Sequence, residues 1–191
     1  MTDDPRIAEL AQFSYEKELT PGYGDTYLFF VGRDNVHGIL KYLISIELLY
    51  LKFSMFGYDD DELNAIIMKK MSSENIAVQA SIDKRQAGGV HERRLLAHNE
   101  TLDPVAYHNS FVITSSPTGE ILHTKGGVCM GFGVGFEGST NWSASGEGID
   151  MKKAQSNTLL VTTNHVLIAR FTANLDLEHA AGLARMRAMN A

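Results

Sequence analysis

With 191 residues, 44% hydrophobic and 21% charged, the chain has the size and composition of one globular domain, which excludes intrinsic disorder. Seventeen Lys+Arg against 23 Asp+Glu leave a formal net charge of −6. Bulk charge therefore does not drive coating of nucleic acid or of an anionic membrane, while a local basic cleft stays open. The single cysteine, Cys129, excludes an internal disulfide and any multi-cysteine metal cage, and it fits a reducing compartment.

The start, MTDDPRIAEL, is acidic and lacks the basic stretch and apolar run of a signal peptide. Pro5 and these acids predict a first helix over roughly Pro5 to Lys17, ended by a turn at Thr20 to Asp25. Residues 1–25 read as an N-terminal extension of a single domain spanning 1–191. Thr26 to Val31, β-branched and aromatic, predicts a strand. Asp34 or Asn35 can cap a helix through Val36, Ile39, Leu40 and Leu43. Leu48 to Phe56 is a candidate buried strand, and Tyr58 to Asp61 is a turn and N-cap opening a helix over Leu63, Ile66, Ile67 and Met71. Within the most apolar stretch, Ile39 to Phe56, the residues Lys41, Ser45, Glu47, Lys52 and Ser54 break any membrane span, so a soluble, cytoplasmic protein with no stable membrane association is expected.

Ile76 to Ile82 alternates and predicts the next strand. Asp83 to Asn109 reads as a long loop with a helical turn or two, carrying Lys84, Arg85, Arg93 and Arg94 and three histidines. The four basic residues can form a rim that guides a polyanion, or simply a solvated loop. Short strands follow at Phe111 to Ser115 and Ile121 to Lys125, then one at Val128 to Phe136, another at Thr158 to Thr162, and a final helix from His165. The fold class is α/β: a mixed β-sheet covered by helices on both faces.

Eight of the 17 glycines lie between Gly126 and Gly148. As one strand, Val128 to Phe136 puts apolar side chains on one face and Cys129, Gly131, Gly133 and Gly135 on the other. That bare face suits close approach of a ligand, or plain sheet packing. His123 and Lys125 share a strand face two residues apart, and Gly138-Ser139-Thr140-Asn141 follows as a turn rich in hydrogen-bond donors. Imidazole, ammonium, amide and hydroxyl together suit a phosphodiester, which needs donors for its non-bridging oxygens and a nucleophile active near neutral pH. From spacing alone, a surface His–Lys pair is the competing reading.

His123-Thr124-Lys125 followed by Gly138-Ser139-Thr140-Asn141-Trp142-Ser143 resembles the paired signature of the phospholipase D superfamily, His-x-Lys and Gly-Ser-x-Asn. Tyr50 to Leu63, Asn75 to Ala87 and Asn157 to Val161 resemble neighbouring segments, so the resemblance covers roughly residues 35 to 180 and implies a phospholipase D-like fold. The family's Asp five residues after the Lys is here Met130, and Lys125 stands one residue further than usual from Gly138. A supporting carboxylate is sought in Glu147 or Asp150.

The resemblance implies a metal-independent phosphodiesterase working through a phosphohistidine, with no cofactor. His123 is then nucleophile in one subunit and general acid in the other, because one motif per chain requires a homodimer to complete the site. Lys125 and Asn141 bind phosphate, Ser139 hydrogen-bonds it, and Lys84, Arg85, Glu147 and Asp150 line the substrate region. An endonuclease acting on DNA or RNA is the first reading. A phospholipase or other small-diester hydrolase is the second, and a catalytically weak nucleic-acid-binding module the third. His91, His98 and His108 have spacings that fit no compact metal motif, and His37, His165 and His179 read as helix-surface residues.

Overall fold

The computed structural model describes residues 4–19, 25–73, 75–85, 89–91, 93–94, 109–150 and 152–189. In chain order the elements are α1 (Pro5–Ala8), a 3-10 helix (Glu9–Phe13), β1 (Thr26–Phe30), α2 (Val36–Ile46), β2 (Tyr50–Met55), α3 (Asp61–Met71) and β3 (Ala77–Asp83). Then come β4 (Asn109–Thr114), β5 (Lys125–Cys129), β6 (Val134–Gly138), β7 (Thr158–Thr162) and α4 (His165–Met189). The strands form one seven-stranded sheet in the order β1-β7-β6-β5-β2-β3-β4. Pairs β2–β3 and β3–β4 are parallel and the other four are antiparallel, so the sheet is mixed.

Local chemistry explains the helices. Asn35 caps α2, its side-chain oxygen accepting from the Gly38 amide at 2.9 Å. Asp60 caps α3 by accepting from the Leu63 amide at 2.6 Å, with Asp61 and Glu62 in the first turn and Lys69 and Lys70 in the last, as the helix dipole favours. Val36, Ile39, Leu40, Leu43 and Ile44 of α2 and Leu63, Ile67 and Met71 of α3 are buried.

Strands β2 and β3 are buried almost end to end, as expected of strands covered on both faces. Their two faces differ in chemistry. Leu51, Phe53, Met55, Val78, Ala80 and Ile82 belong to the apolar core, together with α2 and α3. The alternate residues meet α4 through polar contacts: Lys52 and Gln79 both reach Asp176 Oδ1, at 2.6 and 2.9 Å.

Several sequence expectations need correction. The first helix is not one helix to Lys17: a four-residue α-turn passes into a 3-10 turn that ends at Phe13. Ile7 and Leu10 of this segment are fully buried in the core. Residues 20–24 of the expected turn lie outside the described residues. Residues 121–124 are not a strand; pairing with β2 begins only at Lys125. Val128 to Phe136 is a hairpin rather than one strand. Chain reversal occurs at residues 130–133, Cys129 pairs with Val134, and Gly133 adopts φ +69°, a conformation that favours glycine. His179 is buried and His37 half-buried, so neither is a surface residue: both His179 ring nitrogens and His37 Nδ1 meet partners inside the fold.

Candidate active site

Register brings the signature residues to one end of the sheet. Lys125 opens β5 opposite Met55 near the end of β2, and Gly126 pairs with Glu137, so Gly138 to Asn141 emerge at that same end. β3, parallel to β2, finishes there on Asp83.

His123 lies in the loop just before β5 and is exposed. Its ring packs on Phe56, with centroids 4.9 Å apart and planes at 59°. Lys125 is buried, and its Nζ donates to the His123 backbone carbonyl at 2.9 Å while standing 5.4 Å from the Phe56 ring centroid. The pair is thus joined by a folded-back lysine and a shared aromatic wall, not by two side chains leaving one strand face. Among the described residues no carboxylate comes within ion-pair distance of Lys125.

Asn141 is held by β2's extension. Its Oδ1 accepts from the Gly57 amide at 3.2 Å, which leaves the side-chain NH2 as a donor. The approach is close enough to require glycine: a Cβ on Gly57 would stand 2.9 Å from Asn141 Cγ. Trp142 N donates to Gly57 O at 2.9 Å and Asp59 N to Trp142 O at 2.6 Å, and the buried Trp142 ring packs on Phe53 at 4.9 Å. Ser139 is exposed; its Oγ accepts from Thr158 N at 3.0 Å, so its hydroxyl hydrogen is still available.

Asp83 anchors the histidine loop. Fully buried, it accepts from Leu122 N at 2.7 Å through Oδ2 and from Arg85 N at 2.8 Å through Oδ1. Although His123 is exposed, the partial desolvation of its ring pushes its pKa below the ordinary value, Lys125 adds to this, and Asp83 opposes it. Burial also lowers Lys125, against the pull of Glu137. Glu137 is itself raised by burial, with Lys125 opposing. A mostly neutral imidazole therefore sits beside a cation sheltered from water.

The remaining expected residues scatter. Lys84 and Arg85 directly follow β3 at this end and are exposed, as are Arg93 and Arg94. His91 is buried, its Nε2 3.3 Å from Asp61 Oδ1, while His98 and His108 lie outside the described residues. His165 is exposed at the start of α4, as expected. Asp150 accepts from Lys152 N at 3.1 Å in a local turn. Glu147 is buried and meets not His123 but His37, with Nδ1 and Oε2 2.6 Å apart. Burial pushes Glu147 up to about 7, against the His37 contact; burial is also the largest single influence on His37 and lowers it, but the Glu147 bond and the charges of Glu147, Asp60 and Glu62 together raise it.

Met130 lies past the far end of β5, about five strand residues or roughly 17 Å from Lys125. The carboxylate that orders its turn is Glu47, not Glu147 or Asp150. Glu47 Oε2 accepts from Phe132 N at 3.1 Å, and Oε1 accepts from Leu49 and Tyr50 N at 2.6 and 2.9 Å. Sequence reasoning also gave no role to Phe56, Gly57 or Asp83. Their one signal was position, at the ends of strands later shown to be parallel neighbours.

No family model and no curated protein sequence matches the chain. Solved structures do. NucT from Helicobacter pylori superposes with TM-score 0.66 at 14% identity, over 82% of this chain and 96% of that one. Nuc from Salmonella typhimurium, a phospholipase D family member, gives TM-score 0.59 at 15% identity, over 83% and 97%. Phosphatidylserine synthase from Haemophilus influenzae gives 0.56 at 14% identity, over 76% of this chain and 35% of that one. The chain has the phospholipase D fold.

Proposed function

We propose that the protein is a metal-independent phosphodiesterase of the nuclease type, with an active site shared across a homodimer. One observation carries this reading: a buried ammonium, Lys125, stands against His123 with no carboxylate in ion-pair range among the described residues. A buried cation of this kind needs an anion, and a phosphodiester supplies one. Asn141 offers its amide NH2 from a loop fixed by Gly57 and Trp142. His123, its pKa lowered, is neutral near pH 7 and free to attack.

In the first step a His123 ring nitrogen bonds to phosphorus and the bond to the leaving oxygen breaks. That oxygen takes a proton from the partner copy's equivalent histidine. The same group then removes a proton from water, which attacks phosphorus, breaks the P–N bond and restores His123. Lys125 and Asn141 hold the non-bridging oxygens, where charge builds up. Two copies are required because one chain holds one such histidine–lysine–asparagine set. The match to Nuc, over 97% of that chain at TM-score 0.59, supports the nuclease type. The exposed Lys84, Arg85, Arg93 and Arg94 support a polynucleotide substrate.

The test is cleavage of single- and double-stranded DNA and RNA, and of a lipid diester, with EDTA present and light scattering alongside. Expected are turnover in EDTA by a dimer, an acid-quenched phosphohistidine, and loss of both in His123→Ala. Activity abolished by chelation and restored by magnesium, or full activity in a monomer, overturns the reading. Cleavage of the lipid alone moves it to the small-diester class.

A further inference from the structure

Away from His123 and Lys125, three side chains from three separate segments converge. His37 is the second residue of α2, Asp60 is the N-cap of α3, and Glu147 lies in the turn that follows Trp142. One ligand atom from each lies within 4.8 Å of the other two. His37 Nδ1 is 2.6 Å from Glu147 Oε2 and 3.7 Å from Asp60 Oδ2. Asp60 spends Oδ1 on the Leu63 amide.

The group is incompletely satisfied. The Glu147 side chain is 0% exposed, and among the described residues its Oε1 has no hydrogen-bond partner. His37 Nε2 is also buried without a hydrogen bond to any described residue, the Glu62 carboxylate standing off at 3.7 Å. A buried carboxylate oxygen without a donor is costly, and a cation removes that cost. Access exists: a cavity of about 430 Å³ lined by Gly32, Arg33, Asn35, His37, Glu147 and Ile149 reaches two of the three residues.

We propose that His37, Asp60 and Glu147 form a site for a divalent cation of the zinc class. Imidazole with two carboxylates is a nitrogen–oxygen donor set that suits Zn²⁺ better than Mg²⁺ or Ca²⁺, which take oxygen. Three protein ligands leave a coordination position that water or a small anion fills from the cavity. Bound there, the ion ties α2 and the start of α3 to the turn after Trp142. The ion takes no part in chemistry at His123, and the inference does not depend on the phosphodiesterase reading.

The experiment uses the full chain stripped with EDTA and dialysed, then titrated with Zn²⁺ against a chromogenic chelator, with Mg²⁺ and Ca²⁺ as separate arms. Expected are one Zn²⁺ per chain and a Tm raised by Zn²⁺. His37→Ala and Glu147→Gln should each weaken binding at least ~10-fold, while His165→Ala binds normally. Co²⁺ in place of Zn²⁺ should give visible absorption bands that both variants lose. Circular dichroism checks folding, and Asp60→Asn stands in for any variant that fails to fold. No stoichiometric Zn²⁺, or unchanged binding in His37→Ala and Glu147→Gln, overturns the proposal. Saturation by Ca²⁺ or Mg²⁺ in preference to Zn²⁺ overturns its zinc character.

Discussion

Replacing His179 by Gln removes one titratable group from the seam between α4 and the sheet while keeping a side chain that can hydrogen-bond. His179 is 4% exposed, with Nδ1 3.1 Å from Ser81 Oγ and Nε2 2.6 Å from Ser110 Oγ. Burial pushes its pKa down to about 4 from an ordinary 6.5; Asp176 opposes the shift and Lys52 reinforces it. The folded state thus binds this proton less readily than the unfolded chain, so His179 contributes stability that is complete above pH ~6.5 and lost as pH falls towards ~4. At about 1.4 kcal/mol per pKa unit the full effect is about 3 kcal/mol, of which about 2 kcal/mol disappears between pH 7 and pH 5. For a chain this long that is about 4–8 °C in Tm. Other groups titrate in the same range, so the quantity to measure is the difference between wild type and His179→Gln, by urea unfolding at pH 7, 6 and 5. The wild type should lose about 2 kcal/mol relative to the variant across that range. A difference that stays constant to within about 0.5 kcal/mol refutes a buried neutral imidazole at this seam.

Three further outcomes follow from the geometry. Gly57→Ala should lower kcat ~10- to 100-fold with the fold intact, because the new Cβ displaces Asn141 and breaks its amide bond; unchanged kcat removes Asn141 from phosphate binding. Glu47→Gln should cost about 1–3 kcal/mol, read as a lower Tm, since one amide oxygen cannot serve three backbone N–H groups and its NH2 opposes a donor; an unchanged Tm contradicts the role assigned to Glu47. Neutralising Lys84, Arg85, Arg93 and Arg94 together should raise KM for long polynucleotides more than for a small chromogenic diester and flatten the salt dependence. An equal response of both substrates argues against a phosphate-guiding rim.

Much of the fold was legible because local signals and tertiary demands agree. Asn35 and Asp60 cap the helices they predict, and the alternation in Ile76 to Ile82 matches β3, whose Gln79 and Ser81 turn to α4 while Val78 and Ala80 turn to the core. The hairpin at Val128 to Phe136 was misread because its alternation continues unbroken through the reversal; only the left-handed Gly133 marks it, and φ is not written in a sequence. His179 was misread because a helix that covers a polar sheet face has no apolar stripe to announce its buried side. For the candidate site, motif resemblance singles out His123, Lys125 and Asn141. Phe56, Gly57 and Asp83 were not, since their importance comes from β2 and β3 ending side by side, a fact of strand pairing between distant segments. His37 and Glu147, 110 residues apart, meet for the same kind of reason.

Strand order also bears on how the chain is made. Among the described residues β1 is an edge strand whose one neighbour is β7, with Thr26 paired to Thr162. During synthesis β1 emerges before every other strand and waits for the last of them, while β2, α3, β3 and β4 can pair among themselves in the interval. Tyr27 and Phe29, buried in the finished protein, have no sheet to join until residues 158–162 leave the ribosome. Nascent chains ending short of residue 158 should therefore be cut by protease within residues 26–30 and protected around β2 and β3. Released full-length chains should be protected at both. Protection of 26–30 in the shorter chains would mean that β1 finds a temporary partner before its permanent one exists.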